Sequence, residues 1–223
     1  MNIKNNMLKY KTIFISCFLW GIAAHGMTLF NKYSFHDDAP LFIIGSTYSS
    51  GRWMLGLLGE CMTKLTRSSY YSTPLFKGMM TIGIIALICV LISELLEIDS
   101  QMFNTILSGI MVVFPVITGM FGYAFTAPYY LFGTLLGVMG VFFICKYSKW
   151  YLYLGGILLM TCSVGVYQAN ITVYISLMLI YMIYSVYKKK MFYWKSFFLF
   201  CLYHAVACIA SLGGYLVINK YIL

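Results

Sequence analysis

The sequence predicts an all-α, polytopic transmembrane bundle of about seven spans, and three observations predict it. The 223 residues are 61% hydrophobic and 9% charged, with mean hydropathy +0.84, whereas soluble domains carry about 25% charged residues. The apolar runs are long enough to cross a bilayer, which takes about 20 residues of helix. The lysines gather at the ends of those runs, where they orient helices in a membrane. The net charge of +9 is therefore read as topology rather than as a nucleic-acid footprint.

The elements follow in order. The first span is predicted at residues 12–30. It lacks a small-x-small cleavage site and is read as a retained helix, not a removed signal peptide. Lys4, Lys9 and Lys11 precede it, so the N-terminus is expected in the cytoplasm. Residues 31–74 are predicted as an outer loop that is not wholly irregular. From Arg52 to Arg67 the residues Trp53, Met54, Leu57, Leu58, Cys61, Met62 and Leu65 form one apolar stripe at helical spacing. Glu60 and Lys64 sit one turn apart in the favourable order, and Ser49 or Ser50 is placed to cap the start. Too short and polar to span, this helix is predicted to lie in the membrane interface. Its first amides, beside Arg52, form a ready anion site.

Further spans are predicted at 75–96, 102–121, 128–146, 150–166, 169–187 and 196–218. The fifth and sixth form one apolar stretch that would run about 57 Å as a single helix at 1.5 Å per residue, so a turn is placed at Gly165–Asn170. With this count Lys146–Lys149 and Lys188–Lys190 are cytoplasmic, as the positive-inside rule requires. Glu94, Glu97 and Asp99 form the odd junction, cytoplasmic with no compensating lysine. The 31–74 loop, the Gly122–Pro128 turn and the Gly165–Asn170 turn face outward. That places Asp37, Asp38, Arg52, Trp53, Tyr123, Tyr129, Tyr167, Gln168 and Asn170 on one side. Residues 1–223 are read as a single polytopic domain. The seven cysteines show no CxxC or metal-like spacing and are read as small buried hydrophobes.

The loop concentrates the rare charges. It holds three of the six carboxylates (Asp37, Asp38, Glu60) and both arginines, Arg52 and Arg67. Asp37–Asp38 reads as a solvated loop pair, as a general base for a sugar hydroxyl, or as the holder of a divalent cation on a diphosphate. A carboxylate neighbour raises the pKa of one member of such a pair. Arg52 carries a planar fork suited to phosphate, with snorkelling to headgroups as the plain alternative. Trp53 is an interfacial anchor or a sugar platform. His36 is a loop residue with no second histidine at ligand spacing. His25 and His204 lie in apolar spans, where a neutral, hydrogen-bonded packing role competes with function. Tyr167–Gln168 closes an outer site or makes a polar turn.

Tyr33-Ser34-Phe35-His36-Asp37-Asp38, then Ser50-Gly51-Arg52-Trp53 opening a helix, then Gly165-Val166-Tyr167-Gln168-Ala169 together resemble the Gtr-type bacterial and phage O-antigen glucosyltransferase family. The resemblance runs from about residue 10 to the end of the sequence. It implies a C-type membrane glycosyltransferase architecture. It implies a glucose donor carried on polyprenyl phosphate at the outer face of the bacterial inner membrane, and transfer to a lipid-linked or surface polysaccharide. It implies catalytic groups at Asp37 and Asp38 and donor-phosphate binding at Arg52 and Gly51. His36, Trp53, Tyr167 and Gln168 are assigned to the sugar and acceptor side. A divalent cation, magnesium or manganese, is the one cofactor considered, on Asp37 or Asp38. Members of that family are longer, so the chain is expected to be the N-terminal part of a longer enzyme.

Two rival readings come from other classes: a flippase or transporter of a lipid-linked sugar, and a non-catalytic membrane assembly subunit. Transporters place ionisable or broken-helix features at mid-membrane, and His25, His204 and Pro115 are the candidates for such features here. No phosphate-loop or dinucleotide-binding glycine motif is present.

Overall fold

A computed structural model describes residues 3–31, 44–67, 73–123, 126–189 and 194–222. Every element among them is an α-helix: α1 (Ile3–Phe30), α2 (Ile44–Ser49), α3 (Trp53–Thr66), α4 (Pro74–Leu95), α5 (Gln101–Val113), α6 (Pro115–Phe121), α7 (Ala127–Lys146), α8 (Trp150–Val166), α9 (Asn170–Lys189) and α10 (Trp194–Ile222). The sequence-derived segments all appear as helices, but not all as spans. Five of the described helices are long and apolar enough to cross a membrane, and a sixth crossing is reached if α5 and α6 count as one. Two of the seven expected spans differ for physical reasons. Pro115 cannot donate the next helical hydrogen bond, and the chain bends by 53° between α5 and α6. The helix α8 has 17 residues, about 26 Å of rise, a turn short of the hydrocarbon thickness. Large apolar side chains such as Ile183, Phe198, Ile209 and Leu216 are largely exposed, the inverse of a soluble protein. The chain is a multi-pass membrane protein.

The chain divides into two compact units, one of residues Met1–Ile43 and Leu58–Phe132, the other of Ile44–Leu57 and Gly133–Leu223. In unit 1, α4 runs antiparallel to α1, with Lys9 beside Ser93 and Glu94 and Gly21 against Ile82. The helix α5 runs parallel to α1, with Ser16 hydrogen-bonding Thr105 and His25 meeting Val112. Lys9 Nζ stands 2.8 Å from Glu94, with both side chains mostly buried. The junction that lacked a compensating lysine in the sequence therefore has one, supplied by the N-terminal end of α1. Ser93 donates to the Asn104 side-chain oxygen at 2.6 Å, and the Asn104 amide nitrogen donates to the carbonyls of Ile98 and Ser100. This ties the turn between α4 and α5. Ser100 caps α5 by accepting from Phe103 N.

In unit 2, α8 and α10 run parallel in a constant register. Tyr153 donates to the Tyr203 carbonyl, and Thr161 donates to the Ser211 carbonyl. The helix α7 runs antiparallel to α8, with Gly133 against Val166, Gly137 against Ser163 and Gly140 against Gly156. The helix α9 closes the group through Tyr174 to Ser211 and through Tyr181, which donates to the Cys145 carbonyl. The alternating directions put Lys146, Lys149 and Lys188 at one end of this unit. The α8–α9 turn and the last turns of α10 lie at the other.

The helix predicted between Arg52 and Arg67 is present as α3, with its faces assigned differently. Leu57, Cys61 and Leu65 of the apolar stripe are exposed, while Trp53, Leu55, Gly56 and Gly59 are buried. An apolar stripe left open on a short helix fits a helix lying against lipid. The short α2 before it was not anticipated. Its glycine- and serine-rich sequence has no apolar period to announce it.

Candidate active site

The site is built from one tight turn. The helix α2 ends in a Schellman arrangement, with Gly51 N donating to the Tyr48 carbonyl at 2.9 Å and Arg52 N to the Thr47 carbonyl at 2.8 Å. This requires a left-handed residue at position 51, and Gly51 has φ +75°, a conformation that glycine adopts without steric cost. One expectation is corrected here. Ser50 does not cap α3: its hydroxyl donates back to the Thr47 carbonyl. The amides of Gly51 and Arg52 are engaged with α2 and precede the first amides of α3, which begin at Trp53.

Unit 2 holds this turn on both sides. From the α8–α9 turn, the Gln168 side-chain amide donates to the Ser50 carbonyl at 2.8 Å and to the Tyr215 hydroxyl at 3.1 Å. From α10, the Tyr215 hydroxyl donates to the Gly51 carbonyl at 3.1 Å. A methyl group added at Gly51 would stand 2.6 Å from the Tyr215 oxygen and 3.2 Å from Asn219 Oδ1. The Arg52 guanidinium carbon lies 5.0 Å from the centre of the Tyr167 ring, within cation–π range. The segment Gly51-Arg52-Trp53 thus meets Tyr167-Gln168, more than a hundred residues away in sequence.

The α8–α9 turn is itself fixed from below. Ser163 donates to the Gly133 carbonyl at 2.6 Å, the Asn170 amide to the Ser163 carbonyl at 3.0 Å, and Thr134 to the Asn170 side-chain oxygen at 3.2 Å. Asn170 therefore serves the turn as a buried polar link rather than as a surface group.

Trp53 is neither an interfacial anchor nor an open platform. It is 5% exposed, and its indole lies on Gly165, where a Cβ would stand 2.5 Å from the ring. Its Nε1 is buried and lacks a hydrogen-bond partner, as does Asn219 Oδ1. Tyr123 and Tyr129 belong to unit 1, where Lys77 Nζ lies 5.8 Å from the Tyr129 ring centre. His36, Asp37 and Asp38 lie outside the described residues. Among the described residues no cluster of three or more His, Cys, Asp or Glu could hold a metal ion.

The two membrane histidines have defined packing roles. His25 Nε2 donates to the Val112 carbonyl at 3.0 Å, and its ring stacks on Phe121 at 3.9 Å. Val112 lies next to the α5–α6 break, so the imidazole satisfies a carbonyl at the interrupted helix. His25 and the Pro115 break thus lie together, and the imidazole occupies a carbonyl on the α5 side of the break. His204 Nδ1 donates to the Phe200 carbonyl at 2.8 Å, which leaves Nε2 to accept from the Cys145 thiol at 3.4 Å. All seven cysteines are free. Cys17 and Cys89 are buried as expected, whereas Cys61 is exposed.

Tyr215 and Asn219 were not found from the sequence. They stand four apart near the end of a helix that reads as uniformly apolar. A tyrosine–asparagine pair on one helix face at a span's end is the signal that could have marked them.

Fold and site together define a multi-pass helical membrane protein with an arginine-bearing turn clasped at one end of a helix group. The chain belongs to the glucosyl transferase GtrII family, whose model matches residues 26–223. No curated protein and no solved structure matches it. The family makes it a membrane glucosyltransferase by class, in keeping with the resemblance carried by its loop and turn motifs.

Proposed function

We propose that the chain moves glucose, or another hexose, from a polyprenyl-phosphate donor to a bacterial surface polysaccharide such as O-antigen. The reaction takes place at the outer face of the inner membrane. The observation that carries this reading is the Arg52 guanidinium, positioned over Tyr167 on a turn tied by Gln168 and Tyr215. A donor with its tail in lipid keeps its phosphate at headgroup depth. A planar guanidinium fixed at that depth suits phosphate oxygens. The lysines at the opposite end of unit 2 support an outward-facing clasp, and Lys4, Lys9 and Lys11 before the first apolar run support a cytoplasmic N-terminus.

In this mechanism Asp37 or Asp38 takes the proton from an acceptor hydroxyl. The acceptor oxygen attacks the anomeric carbon of the glucose. The bond from that carbon to the phosphate oxygen breaks, and its electron pair leaves on polyprenyl phosphate. Arg52 balances the charge gathering there. Tyr167 and Gln168 hold Arg52 and its turn in place, and a magnesium or manganese ion on Asp37 or Asp38 is the alternative use of the acidic pair.

The test is transfer in proteoliposomes carrying radiolabelled polyprenyl-phosphate glucose and a lipid-linked glycan. Glucose should pass to the glycan, and Asp37→Asn or Asp38→Asn should abolish transfer with expression intact. Full transfer in both variants would remove the base. Movement of donor across the bilayer without transfer would favour the flippase, and inertness in both assays would favour the assembly subunit.

A further inference from the structure

Among the described residues of unit 2, the Trp53 indole nitrogen and Asn219 Oδ1 are buried without a hydrogen-bond partner, and they belong to residues flanking the Arg52 turn. Trp53 follows Arg52 directly and is 5% exposed, and its Nε1–H makes no hydrogen bond. Asn219 reaches the turn from α10, and its Oδ1 is buried, unbonded and 3.2 Å from where a methyl on Gly51 would stand. Buried polar groups are normally satisfied, so such atoms beside a functional turn call for a ligand. One atom is a donor and the other an acceptor, and both are neutral. A phosphate offers only acceptors and would be repelled by Oδ1. A lipid tail offers neither partner. A hydroxyl group both donates and accepts, so the hydroxyl groups of a sugar have the chemistry that both atoms require.

We propose that Asn219 and the Trp53 indole N–H read the sugar of the lipid-linked donor through its hydroxyl groups, while Arg52 holds the phosphate. The inference rests on the donor reading above and names the part of the donor that α10 recognises. Tyr215 is a positioning residue in this scheme. Its hydroxyl bridges the Gly51 carbonyl and Gln168 and sets the distance between the turn and Asn219, one helical turn further along α10.

The test uses the full chain in lipid nanodiscs and two probes, polyprenyl-phosphate glucose and polyprenyl phosphate without sugar. The wild type should bind the glucose-bearing lipid about tenfold more tightly, the scale of one or two neutral hydrogen bonds. Asn219→Ala should bring that ratio down several-fold, with affinity for the bare lipid changed less than about twofold. Trp53→Phe keeps an aromatic ring against Gly165 and should do the same, which guards against a folding artefact at position 219. A ratio that survives in both variants overturns the proposal, because water or the acceptor then satisfies these atoms. A wild-type ratio near one overturns it as well, while leaving the phosphate reading of Arg52 standing. Absence of binding to either lipid would remove the phosphate reading, and this one with it.

Discussion

In unit 1 the polar side chains of the apolar helices close on one another. Lys9 meets Glu94, Ser93 meets Asn104, and His25 meets the Val112 carbonyl. Thr73 Oγ1, just before α4, is the exception among the described residues, being buried without a partner. In unit 2 polar side chains also close between helices, as Thr161 does on the Ser211 carbonyl and Ser163 on the Gly133 carbonyl, but a second set gathers around a turn from the 44–57 segment. There a guanidinium lies over an aromatic ring, and two polar atoms beside it remain unsatisfied. A closed pair inside a membrane protein holds helices in register, because breaking it strands a charge or dipole in a poor solvent. The unsatisfied Trp53 Nε1 and Asn219 Oδ1 add nothing to stability by themselves and retain their capacity for a ligand. The comparison separates the residues that hold the fold from those proposed to act.

That contrast can be broken most forcefully in unit 1. Glu94→Ala should destabilise the protein by about 3–5 kcal/mol, because it strands a mostly buried lysine. Thermal unfolding in detergent would report it, and transfer should fall only as far as the folded fraction does. Lys9→Met combined with Glu94→Leu should recover most of the loss, since an apolar pair of similar volume replaces a buried ion pair at little cost. Failure of the double variant to recover would give the pair a role beyond register.

A smaller effect is expected at Gly51. Gly51→Ala forces a side chain into a left-handed conformation and against the Tyr215 oxygen, 2.6 Å from the new methyl. The cost should be about 1–3 kcal/mol, with transfer lost well beyond what the change in melting temperature explains. Equal losses in stability and transfer would mean that the turn only supports the fold. The smallest effect belongs to Tyr215→Phe, which removes one hydroxyl from a two-bond bridge. About 1 kcal/mol of stability should go, with a several-fold drop in transfer that mirrors Gln168→Ala.

Much of the helical pattern was legible in the sequence, because span length and terminal lysines are strong local signals. The segment expected at 128–146 emerges as Ala127–Lys146, and that at 150–166 as Trp150–Val166. The seven-span count becomes five, or six with the bent pair, among the described residues. Apolarity alone does not show that Pro115 bends one segment or that α8 is a turn short. The motif residues Gly51, Arg52, Tyr167 and Gln168 could be singled out because they are polar or turn-forming in apolar surroundings. Their mutual contact could not, nor could the Lys9–Glu94 pair, since both join positions far apart in sequence. Asn219 was hidden by lying just past the end of a greasy run. Trp53 was misread because an aromatic at a helix start looks the same whether it faces headgroups or a glycine of a neighbouring helix.

Arg52 is proposed to grip a lipid-borne phosphate through its planar fork. The direct measurement is the glucosyl transfer rate of Arg52→Lys in proteoliposomes, beside its melting temperature. A lysine keeps the charge and loses the paired geometry, so the rate should fall about a hundredfold, the equivalent of roughly 2.7 kcal/mol, with the melting temperature little changed. Wild-type transfer in Arg52→Lys and again in Arg52→Ala would contradict the account.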